Sequence, residues 1–460
     1  MKQDLGARGA GGVGSAALSA RRCAAAAVRA LGVAAVVCAV SLAHAAPGVP
    51  CGFYGVAAPL PLDAALATEV ASTGVGAVRV EMVAGAGGIF DDAQLAGYDA
   101  LFDIMEAAGL RPVGVLGTLV VPTTQAAWND DADGDGNNAF VEAFATTSAG
   151  LVERFATRVS RWEVWGGPNC WTSPDYLTNP QGAGCTYLLP RVFGRMMSEV
   201  YLRTRVLVDV GAVSLTAGGL ATDDGGPFYT AETYLDELYA QPMWDDLEAD
   251  TGRRYPWDLL GVQLYLAQAT QVDEGTISDH LDAIRTIVAA RTDASSFAIT
   301  EVGWSSLTVG EDLQAANLST TFDALASRDD VASASWSLYR DIPPSDLYYG
   351  LVSETGDEKA AAEAMQAAAE GCTPGEDPGG EGGGTSVSGS GPSGGGFSTT
   401  GGGTAPPLGG PRDETSCSCR AAGSGVRSWG TGALILMLGG VMAARRRRRS
   451  PEARDRRVTP

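Results

Sequence analysis

The sequence predicts an α/β protein whose folded part is a closed (β/α)8 barrel of the TIM type. Short apolar or β-branched runs recur along the middle of the chain, each followed by a stretch of helical periodicity. Strands alternating with helices imply a parallel sheet with helical crossovers, and eight such units in about 320 residues suit a closed barrel. A doubly wound open sheet is the alternative. It would want a Gly-rich phosphate loop after the first strand, and Gly55-Val56-Ala57-Ala58-Pro59 is not one.

Taken in order, the first strand is expected over Phe53–Val56 and its helix over Leu62–Ser72. Ala77–Val83 follows, alternating valines with Arg79 and Glu81, and leads to a helix over Asp92–Ala108. The third pair is Pro112–Leu116 and Ala139–Arg158, and the fourth is Ser160–Trp165 and Leu188–Arg203. Ala212–Leu215 with Ala231–Asp250 and Leu259–Leu264 with Ile277–Ala290 make the fifth and sixth. Phe297–Thr300 with Glu311–Ser327 and Ala332–Leu338 with Asp357–Ala369 complete eight. In such a barrel the active site lies at the C-terminal ends of the strands.

Both ends of the chain read as addresses. Arg8, Arg21, Arg22 and Arg29, the apolar run Leu31–Val40 and then Ala43-His44-Ala45 have the order of a secretory signal cleaved after Ala45. Residues 373–416 are rich in Gly, Ser, Thr and Pro and cannot bury a core, so they are expected to form a flexible spacer. Cys417-Ser418-Cys419, the apolar stretch Trp429–Ala444 and the cluster Arg445–Arg449 close the chain. This order resembles the myxobacterial MYXO-CTERM sorting tail. The resemblance implies a transmembrane helix and a sorting protease that holds the protein at the envelope or releases it. The barrel then occupies residues 46–372.

Charge and histidine content narrow the chemistry. The signal carries five bases and one acid and the tail ten arginines and two acids, so of a net charge of −22 the middle accounts for −34. So acidic a surface argues against nucleic acid or anionic lipid as partners and leaves neutral polysaccharide open. Of two histidines, His44 falls in the signal and only His280 remains, which excludes a multi-histidine metal centre. Cys51, Cys170, Cys185 and Cys372 are expected to pair in an oxidising compartment. Of three connectivities, Cys170–Cys185 with Cys51–Cys372 is favoured, because it staples one loop and joins the ends of the domain.

Two predicted strand ends carry recognisable motifs. Arg161-Trp162-Glu163-Val164-Trp165-Gly166-Gly167-Pro168-Asn169 resembles the W-E-x-W-N-E-P-N motif on the fourth strand of retaining TIM-barrel glycoside hydrolases, the clan of cellulases, β-xylosidases and β-glucanases. Ala298-Ile299-Thr300-Glu301-Val302-Gly303-Trp304 resembles the seventh-strand I-T-E-x-G-W of the same clan. Val78-Arg79-Val80, Thr216-Ala217-Gly218-Gly219, Tyr265 and Trp336 support the match, which spans the whole domain. A retaining glycosidase needs a nucleophilic carboxylate and an acid/base carboxyl ~5–5.5 Å apart. The resemblance implies that Glu301 is the nucleophile, oriented and charge-balanced by Arg79 and Tyr265, with no cofactor in the chemistry.

The acid/base position is Gly167, and Gly166 stands where the family has a sugar-contacting asparagine. Both functional side chains are therefore missing, while Trp162, Glu163, Trp165, Pro168 and Asn169 remain. Glu163, four residues earlier and ~13 Å away along an extended strand, is expected to be a buried partner of Arg79. Glu81, Asp175, Asp223 and Asp224 are the other carboxylates considered as proton donors, although each reads first as a solvated charge. General acid catalysis contributes about 10²–10⁴-fold, so its unreplaced loss implies very slow turnover.

Trp165, Trp171, Tyr265, Trp304 and Trp336 fall at or beyond predicted strand ends, where flat rings could stack on sugar; the competing role is core packing. The resemblance places Trp304 and Trp336 at sugar platforms. Asp131, Asp133, Asp135 and Glu142, with Gly136 at the turn, satisfy the spacing of a calcium loop, but Asn138 stands where an apolar anchor belongs and no paired hand exists. A structural calcium is expected there, with an acidic solvated turn as the alternative. Three functions follow: a weak or rerouted hydrolase of β-linked polysaccharide, a pseudo-hydrolase that only binds glycan, or an exported structural protein. Glutamate at Gly167 is expected to separate the first two by raising turnover.

Overall fold

The computed structural model describes residues 49–373, apart from 86, 172–174, 177, 210 and 224–228. The signal, the spacer beyond 373 and the sorting tail lie outside the described residues, as does Asp224. Among the described residues no helix is long and apolar enough to cross a membrane.

Eight parallel strands close into a barrel in sequence order: β1 Tyr54–Ala57, β2 Ala77–Glu81, β3 Arg111–Leu116, β4 Arg161–Gly166, β5 Ser214–Asp223, β6 Leu259–Tyr265, β7 Ser296–Val302 and β8 Val331–Trp336. β8 returns to β1 through the pairs Tyr54↔Ala334, Gly55↔Ser335 and Val56↔Trp336. A small parallel pair, β9 Leu338–Arg340 and β10 Gly350–Val352, follows the barrel.

Helices start where the sequence supplies caps. Asp63, Asp91, Asn138 and Asp273 each accept the N–H three residues on at 2.8–2.9 Å, opening helices Ala64–Ser72, Asp92–Ala107, Ala139–Phe155 and Glu274–Ala290. The helix expected over 231–250 is two, Ala231–Tyr239 and Met243–Thr251. Pro242 divides them, because proline has no N–H to continue the first and restricts the residue before it.

Strand five is longer than expected. Thr216-Ala217-Gly218-Gly219 belongs to it rather than to the loop beyond, and its pairing with β6 shifts register between Ala217 and Leu220. Glycine is required there: a Cβ on Gly218 would lie 2.4 Å from the Trp165 carbonyl oxygen, and one on Gly219 2.2 Å from Thr300 Oγ1. The close approach draws β5 against the ends of β4 and β7.

Both favoured disulfides are present. Cys51–Cys372 joins the domain ends with its Cα atoms 5.0 Å apart, beside hydrogen bonds between Cys51 N and Thr373 O (3.0 Å) and Thr373 N and Val49 O (2.9 Å). These lie at the N-terminal end of the strands, opposite the mouth. Cys170–Cys185 staples the loop after β4, with Cα atoms 5.9 Å apart.

Candidate functional site

Strand alternation turns residues of one parity into a barrel. It sends Arg79 inward from β2, Glu163 from β4, Gln263 and Tyr265 from β6, and Glu301 from β7, so five polar side chains from four strands share one interior. Arg79 is the hub. Its Nε and Nη2 both donate to Glu163 Oε2, at 3.0 and 2.7 Å, while Nη1 donates to Glu301 Oε1 at 2.9 Å. The Tyr265 hydroxyl donates to Glu301 Oε2 at 2.6 Å and lies 3.2 Å from Ser337 Oγ, which donates to the Val302 carbonyl. Both carboxylate oxygens of Glu301 are thus held, yet its side chain keeps 15% of its exposure and faces the mouth.

Burial separates the two glutamates. Glu163, only 2% exposed in its side chain, has its carboxyl pushed above the usual range by desolvation, which the Arg79 charge and hydrogen bonds oppose without cancelling. Burial also works against the Arg79 charge, but Glu163 and Glu301 outweigh it and hold the guanidinium firmly protonated. Beneath this network lies a cavity of about 20 Å³, lined by both apolar and polar groups, among them Phe53, Val113, Arg161 and Thr216, with volume for a water molecule.

The end of β4 departs from a plain strand. Trp165 has φ 69° and Gly167 φ 59°, so the alternation breaks just where the motif ends. Trp165 was expected at the mouth on substrate. The left-handed turn sends it the other way, into the helix layer, edge-on to Trp128, Phe140 and Phe144 at 5.2–5.9 Å with its Nε1 donating to the Thr186 carbonyl. Gly167 is clamped as well: its carbonyl accepts from Thr186 Oγ1 and from Cys170 N, both at 2.8 Å, and its N–H donates to the Gly219 carbonyl at 2.9 Å. Gly166 stays partly exposed beside it.

Other expected ring platforms are also closed. Trp304 and Trp336 are 1% and 0% exposed, pack on each other at 6.1 Å, and donate through Nε1 to the carbonyls of Ala267 and Tyr349. Neither offers a face to a sugar in this structure. Trp171 is buried under Tyr176, at 4.1 Å between ring centres.

The carboxylates of the expected calcium loop are largely engaged within the protein. Asp131 is hydrogen-bonded by Gly136 N (2.8 Å) and taken by Arg191, while Glu142 is taken by Arg203 and Asn137. Asp133 and Asp135 are exposed, Asp135 accepting from Asn137 N at 2.8 Å. Among the described residues no group of three or more His, Cys, Asp or Glu is arranged to hold a metal. The spacing was right for a loop, but arginines from the next helix, Pro190–Leu207, neutralise its first and last carboxylates.

Of the alternative proton donors, Glu163 is tied beneath Arg79 and Asp175 is exposed on the stapled loop. Glu81 faces the end of β3, with Oε1 3.0 Å from where a Cβ on Gly117 would be. One polar residue was missed. Gln263 is 3% exposed, and its Oε1 and Nε2 lie 3.5 and 3.8 Å from where Cβ atoms on Gly167 and Gly166 would stand. The signal was available: Gln263 is the one polar residue within Leu259–Leu264 and shares the inward parity of Tyr265.

No family model matches the chain, and no curated protein does. Solved structures do. One is GH5_18 from Streptomyces cattleya in complex with Manβ1-4GlcNAc, at TM-score 0.51 and 16% identity over 69% of this chain and 79% of that one. Others are a family 39 glycoside hydrolase from Bacteroides cellulosilyticus (TM-score 0.46, 17% identity, 70% of this chain) and a psychrophilic family 10 endo-β-1,4-xylanase (0.47, 16%, 70%). The chain spans 64% of the Bacteroides enzyme and 96% of the xylanase. What the chain shares with the Streptomyces structure is the fold, a (β/α)8 TIM barrel.

Proposed function

We propose that this chain is an exported, glycoside-hydrolase-like protein that takes β-linked glycan at the barrel mouth, with a nucleophile in place and its proton donor lost. The observation that carries this reading is the Glu301 carboxylate, fixed by Arg79 on one oxygen and Tyr265 on the other at the C-terminal end of β7. In that role a Glu301 oxygen attacks the anomeric carbon and the leaving oxygen departs with the bond's electron pair. Natural glycosides need that oxygen protonated as it leaves, and position 167 has no side chain to do it. Turnover is then limited to aglycones that leave as stable anions. The disulfides support export, since such bonds persist in oxidising compartments, and the tail would fix the protein at the envelope or release it after proteolysis.

The test is hydrolysis of 4-nitrophenyl β-glycosides with and without azide. A nitrophenolate leaves without a proton, and azide replaces the base-activated water in the second step, yielding a glycosyl azide. Azide-accelerated release that disappears in Glu301→Ala is the expected result. Rapid hydrolysis of unactivated glycans without azide would refute the lost-donor reading. A second reading, glycan binding with no turnover, is favoured by the full engagement of Glu301 and by the clamp on Gly167; it predicts binding without release in either condition.

A further inference from the structure

The space at the end of β4 is not simply vacant. Gly166 leaves a notch, and the carboxamide of Gln263 borders it, with Nε2 toward Gly166 and Oε1 toward the clamped Gly167. Around Gly166 nothing else comes within 4 Å of where a Cβ would be, so the notch is open there and the amide forms its wall. Inside, Gln263 Oε1 is buried and has no hydrogen-bond partner among the described residues. A buried amide oxygen without a donor costs free energy. The surrounding chain does nothing to relieve it: Thr222 Oγ1 donates to the Gln263 backbone carbonyl instead, and Thr186 Oγ1 donates to the Gly167 carbonyl. In the β6–β7 register, Gln263 is the direct neighbour of Glu301. An acceptor kept unsatisfied beside a held carboxylate, at the edge of an open notch, suits a hydroxyl donor that arrives with a ligand.

We propose that Gln263 is the polar anchor for bound sugar in this barrel, its Oε1 accepting from a glycan hydroxyl that enters over Gly166. The inference rests on the reading of the mouth as a glycan site and assigns within it the contact that the fourth strand no longer provides. Gln263 takes no proton in the reaction; it fixes where the sugar sits relative to Glu301.

The test compares full-length wild type with Gln263→Met and Gln263→Asn. Azide-assisted release from 4-nitrophenyl β-glucoside, β-mannoside and β-xyloside is followed, with KM separated from kcat and melting temperature recorded. Methionine keeps the volume and removes the amide, and one neutral hydrogen bond corresponds to roughly fivefold to tenfold. The expected result is a KM about tenfold higher in Gln263→Met, partial recovery in Gln263→Asn, and a melting temperature unchanged or raised, because an unsatisfied buried oxygen has gone. An unchanged KM in Gln263→Met, with wild type active, overturns the inference and leaves the proposed function standing. A fall in melting temperature with no change in KM assigns Gln263 to packing and also overturns it. Wild type that neither binds nor turns over any of the three glycosides removes the proposed function and this inference together.

Discussion

At position 167 the backbone is left-handed, φ 59°, and a Cβ would stand 2.9 Å from Thr186 Oγ1 and 3.2 Å from Cys170 Cβ. The glutamate that the motif lacks therefore cannot simply be put back. Gly167→Glu is expected to cost about 1–3 kcal/mol in backbone strain, read as a lower urea midpoint, with no gain in hydrolysis of unactivated glycosides. Gln263→Glu is the productive substitution. It keeps the side-chain length, puts a carboxyl in the same notch next to Glu301, and a second buried carboxylate there favours the protonated form. Turnover of unactivated β-glycosides is expected to rise at least tenfold, a fraction of the ~10²–10⁴ that general acids contribute, with a bell-shaped pH profile. No gain would show that the notch lies off the leaving oxygen. The contrast marks what a sequence can reveal at this scale. Glu163 was legible as a partner of Arg79 because period-two alternation fixes their direction, while Tyr265 and Glu301 were legible only through the motifs they stand in. Trp165 was not, because one residue with positive φ reverses the alternation without any signature in side-chain type.

The eight barrel strands were legible in number and order, and element limits shifted where backbone geometry intervenes: Pro242 split a helix, and Gly218 and Gly219 let β5 run on to Asp223. The calcium spacing could not reveal the arginines that occupy its first and last carboxylates, since they come from another helix. Arginine–carboxylate clamps of that kind fix elements elsewhere too. Asp330, ahead of β8, accepts from Arg285 Nε at 3.0 Å and Arg328 Nε at 2.8 Å, and Arg285 also donates to the Ser295 carbonyl before β7. Burial pushes the Asp330 carboxyl up, but the hydrogen bonds and charges of Arg328 and Arg285 prevail and hold it below its ordinary value. A carboxyl depressed in the folded state adds stability that is present above its unfolded value, near 4, and is lost as pH falls through the folded one. Asp330→Asn is expected to lower stability at pH 7 by about 1–2 kcal/mol and to flatten the loss between pH 5 and pH 3, measured by urea denaturation across that range. Equal slopes in variant and wild type would show that the clamp does not titrate with folding.

Across the whole molecule, the barrel was readable because eight strand–helix repeats leave few ways to bury their apolar faces, whereas Gln263 was not, since an uncharged polar residue inside a barrel looks in sequence like one outside it. Ends and mouth lie at opposite faces. Cys51 and Cys372 bridge a separation of 321 residues at the N-terminal face, reinforced by the hydrogen bonds between residues 49–51 and 373. In the chain-entropy account, cross-linking so long a loop removes freedom from the unfolded state worth on the order of 5 kcal/mol, while the folded mouth at the far end of the strands gains no contact from it. Cys372→Ser is therefore expected to lower the urea midpoint and melting temperature by an amount equivalent to roughly 2–5 kcal/mol, and to leave KM for 4-nitrophenyl β-glycosides unchanged well below the new midpoint. Adding a thiol reductant to wild type is expected to reproduce that stability loss once the Cys51–Cys372 bridge is reduced. A KM that rises with loss of this bridge would mean that the N-terminal face governs the geometry of Glu301 through the strands, and that the barrel is less rigid between its two ends than its closed hydrogen-bonded ring implies.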